Sequence, residues 1–377
     1  MSDYQKELVA TIHKFCQTQV EPFMEQDDHN SKFRMEIFRG FGQLGLAGLT
    51  LPETYGGAEL PYSDFVTVLR TIAMYSVPYA VTISVSAMVQ TMINEYGTEE
   101  QKQAYLPALT SGHEIGAFAL SESGAGSDAA SLKTTAKKVD GGWILNGSKL
   151  WITSGGVAQT YTVMARSGGD GASGISCFIV EKDTAGFSFG KAEKKMGWKT
   201  SPTRELIFNN CFIPDKNLLG AEGKGFKLAA GALDRGRFTI GAIAVGLSER
   251  ALKEATKYAL EREQFNQAIF EFQGLQFMLA DMATEIEASK LMVEKAAQNF
   301  DEKTPDQKLA SMAKMKASDT AMYVTTEAVQ ILGGVGYTSE YPLERYMRDA
   351  KVLQIVEGTN QIQKVVIARN LKKEMQS

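Results

Sequence analysis

Apolar positions along the chain fall into three regimes. Up to about residue 115 they recur at helical spacing, as in "LVATIHKFCQTQVEPF". In the same region "GTEEQKQAYLPAL" opens with Thr98 as a capping residue and with Glu99 and Glu100 at the positive end of a helix. From about 116 to 225 short runs rich in β-branched and aromatic residues take over, among them "GWIL", "LWIT", "TYTVMA", "GISCFIVEK" and "RELIFNNCFI". Asn146-Gly147 stands between the first two, and that dipeptide between apolar runs predicts a hairpin. Beyond about 226, "ALKEATKYALEREQF" and "LADMATEIEASKLMVEKAAQNF" return to long helical periods rich in Ala, Leu, Glu and Lys. The expectation is an α+β chain: a helical domain over 1–115, a β domain over 116–225 and a helical domain over 226–377.

The stretch from Thr71 to Asn94 carries no charge and is long enough to raise a membrane span. Pro78, Gln90 and several serines and threonines make it too polar for hydrocarbon. It reads as a buried helix pair, or as small and hydroxyl side chains that leave room for a ligand. At 377 residues the chain suggests two or three domains. With 40 basic and 44 acidic residues the net charge is −4, which argues against nucleic acid or an anionic membrane as partner. Cys16, Cys177 and Cys211 form no CxxC, and with only His13, His29 and His113 no metal site is expected. A reducing, cytoplasmic setting fits, and the opening residues resemble neither a signal nor a transit peptide. GxGxxG opening a βαβ unit and GxxxxGK are both absent from the sequence, which argues against Rossmann and P-loop chemistry.

Five stretches could carry chemistry. In "FALSESGAGSDAASL" small residues around Ser121 and Ser127 suit close approach of a backbone to a flat or phosphorylated ligand, or simply a Gly-Ser loop. In "LNGSKLWITSG" Trp151, Ile152 and Thr153 end a strand; such a ring is most often sheet core. "LEREQFNQAIFEFQGLQF" puts Arg262, Gln264, Phe265, Gln273 and Gln276 around an expected helix–turn–helix, with Arg suited to pyrophosphate or to pairing with Glu261 or Glu263. Gly333, Gly334 and Gly336 break a helix after Gln330. Finally "QIVEGTNQIQ" places Glu357 before Gly358 at a helix junction, followed by a helix capped by Thr359 or Asn360 whose Ile362, Val366 and Ile367 would face inward. Taken alone, Glu357 reads as a solvated helix end or as a base in an apolar pocket.

Together, in this order, the stretches "SESGAGSDAASLKTTA", "LNGSKLWITSG", "LDRGR", "REQFNQAIFEFQGLQFMLADMA", "QILGGVGY" and "RDAKVLQIVEGTNQIQKVVIARNL" resemble the acyl-CoA dehydrogenase family over essentially the whole length. The resemblance implies an N-terminal all-α domain, a middle antiparallel β domain and a C-terminal four-helix bundle, assembled as a homo-oligomer, a tetramer or a dimer. It implies FAD as cofactor, an acyl-CoA substrate and electron transfer flavoprotein as partner. Carried over by position, the isoalloxazine segments are Phe118, Ala119, Leu120, Ser121, Gly126 and Ser127, and Trp151, Ile152 and Thr153. Arg262, Gln273, Gln330, Ile331, Leu332, Gly333 and Gly334 match positions that reach the FAD of a neighbouring subunit, and Thr359 and Gln361 match further FAD contacts. Ser127, Asp234, Arg237, Gly358 and Arg369 fall where the family binds acyl-CoA, and Glu357 falls on its usual catalytic base. Some members carry the base within "LDRGR" instead; that position is Gly236 here.

Ser121 stands where the family commonly has Thr, Ser123 where it has Pro, and Asn266 where a glycine is usual. Val356 replaces the Tyr of many straight-chain members, which implies room for a branch beside the α-carbon. Residues 174–211 look especially like isobutyryl-CoA dehydrogenases, and straight-chain butyryl-CoA is the near alternative.

Overall fold

The N-terminal part of the chain folds into α1 (Asp3–Phe15), α2 (Met24–Asn30), α3 (Met35–Gln43), α4 (Tyr62–Ala73), α5 (Val77–Tyr96) and α6 (Glu99–Thr110) in the computed structural model, which describes residues 2–376. Thr98 caps α6 as expected: its hydroxyl accepts the Gln101 amide, and the Gln101 side chain accepts the Thr98 N–H in return. The uncharged stretch covers the end of α4 and most of α5, and every residue of α5 from Val77 to Ile93 is buried. A helix apolar on all sides belongs in an interior. Its hydroxyls find partners there, Thr82 donating to the Pro78 carbonyl and Ser84 meeting Thr239 at 2.8 Å. No described helix is long and apolar enough to cross a membrane.

Strands β1 (Gly116–Ala119), β2 (Thr135–Val139), β3 (Gly142–Thr153), β4 (Thr160–Arg166), β5 (Ile175–Glu181), β6 (Phe187–Ala192), β7 (Thr203–Pro214) and β8 (Leu218–Leu219) form one sheet in the order β6-β7-β3-β2-β4-β5-β8, with β1 beside β4. Pairings are antiparallel except that β1, and one residue of β2, run parallel to β4. The hairpin expected at Asn146-Gly147 is not there. β3 passes straight through that dipeptide with a register shift, and a Cβ on Gly147 would lie 2.8 Å from the Thr134 Cα, so the glycine serves a bulge pressed against a neighbour. The reversal falls instead on Asp140-Gly141, where Gly141 takes φ 73° between β2 and β3.

The chain then continues as α7 (Gly225–Glu261), the short strands β9 (Glu263–Gln264) and β10 (Gln267–Ala268), α8 (Gln273–Asp301), α9 (Gln307–Leu332), α10 (Leu343–Leu353) and α11 (Asn360–Glu374). Helices α7, α8 and α9 pack on one another, α10 and α11 lie against α9, and α7 also meets α4 and α5. The middle of α7, Gly236 to Ser248, is therefore buried without a break. Between α7 and α8 the connection is a β-hairpin, not the helix–turn–helix expected, because Phe265 and Asn266 both adopt positive φ (53° and 63°). In α11 the residues expected to face inward, Ile362, Val366 and Ile367, are only half-buried; the buried ones are Asn360 and Gln363. One guanidinium ties the three parts together: Arg348 of α10 reaches Asp28 of α2 at 2.8 Å, the Met196 carbonyl at 3.0 Å and Glu344 at 2.6 Å.

Candidate active site

Glu357 and Gly358 lie in the turn from α10 to α11, and both are left-handed (φ 54° and 84°). A left-handed residue with a Cβ costs about 1–2 kcal/mol and needs anchoring. Gln363 donates to the carbonyls of Glu357 (3.1 Å) and Gly358 (2.8 Å), Lys314 of α9 donates to Gly358 O at 3.1 Å, and the Thr359 hydroxyl accepts from the Ile362 N–H. The Glu357 side chain is thereby delivered to α7. A Cβ on Gly236 would lie 2.6 Å from its Oε2 and 3.0 Å from its Cδ, so any larger residue there would push the carboxylate out of this position. Oε2 is shielded from water and has no hydrogen-bond partner. Burial pushes the carboxyl up to about 7, with Lys314 and Arg237 offsetting it only in part. The Glu357 N–H is not taken by any acceptor of the described chain.

Arg237, one residue on from Gly236, is buried and bonds Asp234 at 2.6 Å while its Nε stays unpartnered. Burial lowers the guanidinium despite Asp234 and Glu357 nearby. Gln307 at the start of α9 holds Asp234 at 3.1 Å. Asp234, Arg237, Val356, Glu357 and Gly358 thus come together, whereas Arg369 is exposed on α11 and bonds nothing in the described chain.

A second group forms at the sheet. Phe118 and Ala119 end β1, Leu120 and Ser121 follow, and the Leu150 N–H donates to Ser121 O at 2.9 Å, tying this loop to β3. Lys149, fully buried, donates to Leu120 O (3.1 Å) and Glu122 (2.7 Å); Glu122 also accepts the amides of Lys133 and Thr134. Burial alone would raise the Glu122 carboxyl, but the ammonium and these donors outweigh it and hold it below the usual glutamate range. Just beyond Lys149 the strand bulges again, and Trp151 takes φ 58° and is 56% exposed. The ring expected in the sheet core is instead turned out and uncovered. Ile152 is buried, Thr153 is half-buried, and neither the Thr153 nor the Ser121 hydroxyl is bonded within the described chain. Gly126 and Ser127 are exposed, and a Cβ on Gly124 or Gly126 would meet nothing within 4 Å. An open aromatic face beside free hydroxyls and a side-chain-poor loop fits a flat, polar-edged ring system.

The other positions stand apart from both groups. Arg262 and Gln273 are exposed at either end of the hairpin connection, Gln330 is exposed near the end of α9, Ile331 and Leu332 are buried, and Gly333 and Gly334 face open space. Thr359 is half-buried and Gln361 exposed. The side chains of Arg262, Gln273, Gln330 and Gln361 bond nothing within the described chain. Sequence reasoning missed Lys314, Gln363 and the Lys149–Glu122 pair. Lys314 carried a signal, a lone charge in the helical stripe of Ala310, Ala313, Ala317 and Ala321; Gln363 carried none.

The sequence matches three descriptions in succession: Acyl-CoA dehydrogenase, N-terminal domain over residues 2–113, middle domain over 117–211, and C-terminal domain over 223–372. The chain belongs to the acyl-CoA dehydrogenase family: it is a flavoprotein oxidoreductase acting on CH–CH bonds, with FAD as cofactor. Among its relatives is the mitochondrial isobutyryl-CoA dehydrogenase of Dictyostelium discoideum, 42% identical over 99% of this chain and 90% of that one. Butyryl-CoA dehydrogenase from Megasphaera elsdenii superposes with a TM-score of 0.96 at 41% identity, covering 98% of both chains. A chain from a structure described as the electron transferring flavoprotein of Acidaminococcus fermentans matches with the same TM-score at 45% identity, again over 98% of both.

Proposed function

We propose that the protein oxidises a short or short-branched acyl-CoA thioester to its 2,3-enoyl-CoA, with Glu357 as the base and an electron transfer flavoprotein as acceptor. The observation that carries this is the Glu357 carboxyl lodged on Gly236, with Oε2 buried and unpartnered. A carboxyl pushed to about 7 has an affinity for protons closer to that of a weakly acidic carbon than an exposed glutamate has. Glu357 takes the α-proton, the electrons of that C–H bond form the double bond, and the β-hydrogen departs as hydride. FAD, when bound, supplies the acceptor for that hydride.

In this reading the open Trp151 face, with Phe118 to Leu120, Ile152, Gly126 and Ser127, holds the flavin ring, and the Ser121 and Thr153 hydroxyls bond its polar edge; the exposed Trp151 and the unbonded hydroxyls support it. The free N–H of Glu357 is the donor we assign to polarise the thioester carbonyl as enolate charge develops. Asp234, Arg237, Ser127, Gly358 and Arg369 bind the acyl-CoA. Arg262, Gln273 and Gln330, whose side chains are unbonded in their own chain, and Gly333 and Gly334, which are open, serve the FAD of a second copy in a homo-oligomer together with Ile331 and Leu332, buried between them, with Thr359 and Gln361 as further FAD contacts. Val356, half-buried next to the base, is smaller than the tyrosine that many straight-chain members carry there, which favours a branched chain.

Anaerobic mixing of the FAD-loaded protein with isobutyryl-, 2-methylbutyryl-, isovaleryl- and butyryl-CoA tests this. Flavin bleaching should be fastest with one of the first two. Fastest bleaching by butyryl-CoA would assign a straight-chain substrate, and bleaching by none would overturn the reading. The reduced flavin should pass electrons readily to electron transfer flavoprotein and only slowly to oxygen.

A further inference from the structure

Lys314, in the middle of α9, is fully buried, an ammonium among alanines. A charge in that position requires compensation, yet its two hydrogen bonds go to neutral oxygens, Gly358 O at 3.1 Å and Asn360 Oδ1 at 2.8 Å. Asn360 cannot rotate away, because its amide nitrogen is held by Ser318 (3.0 Å) and Asp319 (2.7 Å). Asp319 is fixed in turn by Gln354, just past the end of α10, at 2.6 Å. With Gln363 on the Gly358 carbonyl as well and on the Glu357 carbonyl beside it, α9 and α11 clamp both left-handed residues of the turn that bears Glu357.

We propose that Lys314 is a positioning residue for the proton-abstracting carboxylate: it fixes the turn that delivers Glu357 to Gly236 and lends positive charge to the ionised form of Glu357. This rests on the reading of Glu357 as base. The charged groups around the site are Lys314 and Asp319 from α9 and Asp234 and Arg237 from α7, while α11 and the end of α10 contribute the neutral Asn360, Gln363 and Gln354. Burial pushes Lys314 down to about 8 against the pull of Glu357 and Asp319. Gln363 offers the Gly358 carbonyl that Lys314 bonds, and the Glu357 carbonyl beside it, neutral hydrogen bonds, so the two anchors separate charge from geometry.

The test uses the full-length, FAD-loaded protein as wild type, Lys314→Met and Gln363→Met, with two readouts. One is an infrared difference titration of the Glu357 carboxyl, assigned by its loss in Glu357→Gln; the other is the pH profile of anaerobic flavin bleaching. Lys314→Met should raise the carboxyl midpoint by about one pH unit or more and slow bleaching at neutral pH at least about tenfold, with flavin content retained. Gln363→Met should slow bleaching with its midpoint near wild type. If Lys314→Met fails to fold, Lys314→Gln, neutral but still polar, takes its place. A midpoint unmoved in the neutral variant overturns the proposal and leaves Lys314 a purely structural residue. If no acyl-CoA bleaches the wild type, the reading of function fails, and the infrared midpoint still decides what Lys314 does.

Discussion

Glu357 is held in a state that its own ionisation opposes. Its carboxyl is pushed to about 7 in the fold, above the value for an unfolded glutamate. The folded state therefore binds the proton more tightly, so the associated stability is complete at low pH and is lost as pH rises through about 7. Glu357→Gln removes the ionising group and keeps the shape. We expect it to be more stable than wild type at pH 8 by roughly 2–3 kcal/mol, with the gap shrinking toward pH 5, as read from urea midpoints at both values. The same variant should bleach flavin at least about a hundredfold more slowly, and the wild-type rate should rise with pH through about 7. In the local sequence this carboxylate was indistinguishable from a solvated helix end. What buries it is Gly236, in a helix far earlier in the chain, and a contact of that kind leaves no trace in the residues around Glu357. The family resemblance pointed to the position; the reason a carboxyl there resists ionisation became visible only once α7 lay against the turn.

β3 shows how an element can be read correctly as strand and wrongly in its course. Caps and periods are local, so Thr98 and the helical stretches were legible. The bulges at Gly147 and Trp151 were not, because the first depends on Thr134, just before β2, pressing on the glycine, and the second adjoins a buried pair whose members are distant in sequence. That pair is made by Lys149, two residues before Trp151, whose ammonium spans from Glu122 to the carbonyl beside Ser121. This one buried pair holds both loops of the open aromatic face in register. Burial pushes Lys149 down to about 8 even with Glu122 beside it, so the pair is sensitive to the loss of either member. Lys149→Met strands the Glu122 carboxylate and should destabilise the protein by about 3–5 kcal/mol, visible as a lower thermal midpoint. It should also weaken FAD binding at least about tenfold in a flavin titration, as the loop carrying Ser121 is released. Adding Glu122→Gln should restore part of the stability without restoring flavin affinity; full recovery of both would mean that the pair has no role in shaping the flavin face.

At the scale of the molecule, the order of helical, strand and helical regions was legible because the two periods differ. The joint between the regions was not, since it runs through Arg348 and partners distant in sequence. The outer face of the α7–α8 connection raises a further question. Phe265 is 87% exposed at the hairpin tip, Leu260 and Phe277 are more than half exposed on either side, and the side chains of Arg262 and Gln273 between them bond nothing in their own described chain. A two-residue turn does not require a large apolar side chain at its tip, and exposed rings gathered beside idle polar groups mark a surface that another molecule covers. In a homo-oligomer a second copy would cover the rings while Arg262 and Gln273 reach its FAD. Phe265→Asp places a charge in that contact without touching Glu357, Trp151 or Lys314. In sedimentation the variant should run as a smaller species than wild type, and it should lose flavin during gel filtration at concentrations where wild type retains it. Raising the protein concentration should recover mass and flavin together, since both depend on the same association. If the mass falls but flavin stays bound, Arg262 and Gln273 do not act across the interface; if neither changes, the hairpin is not where the copies meet.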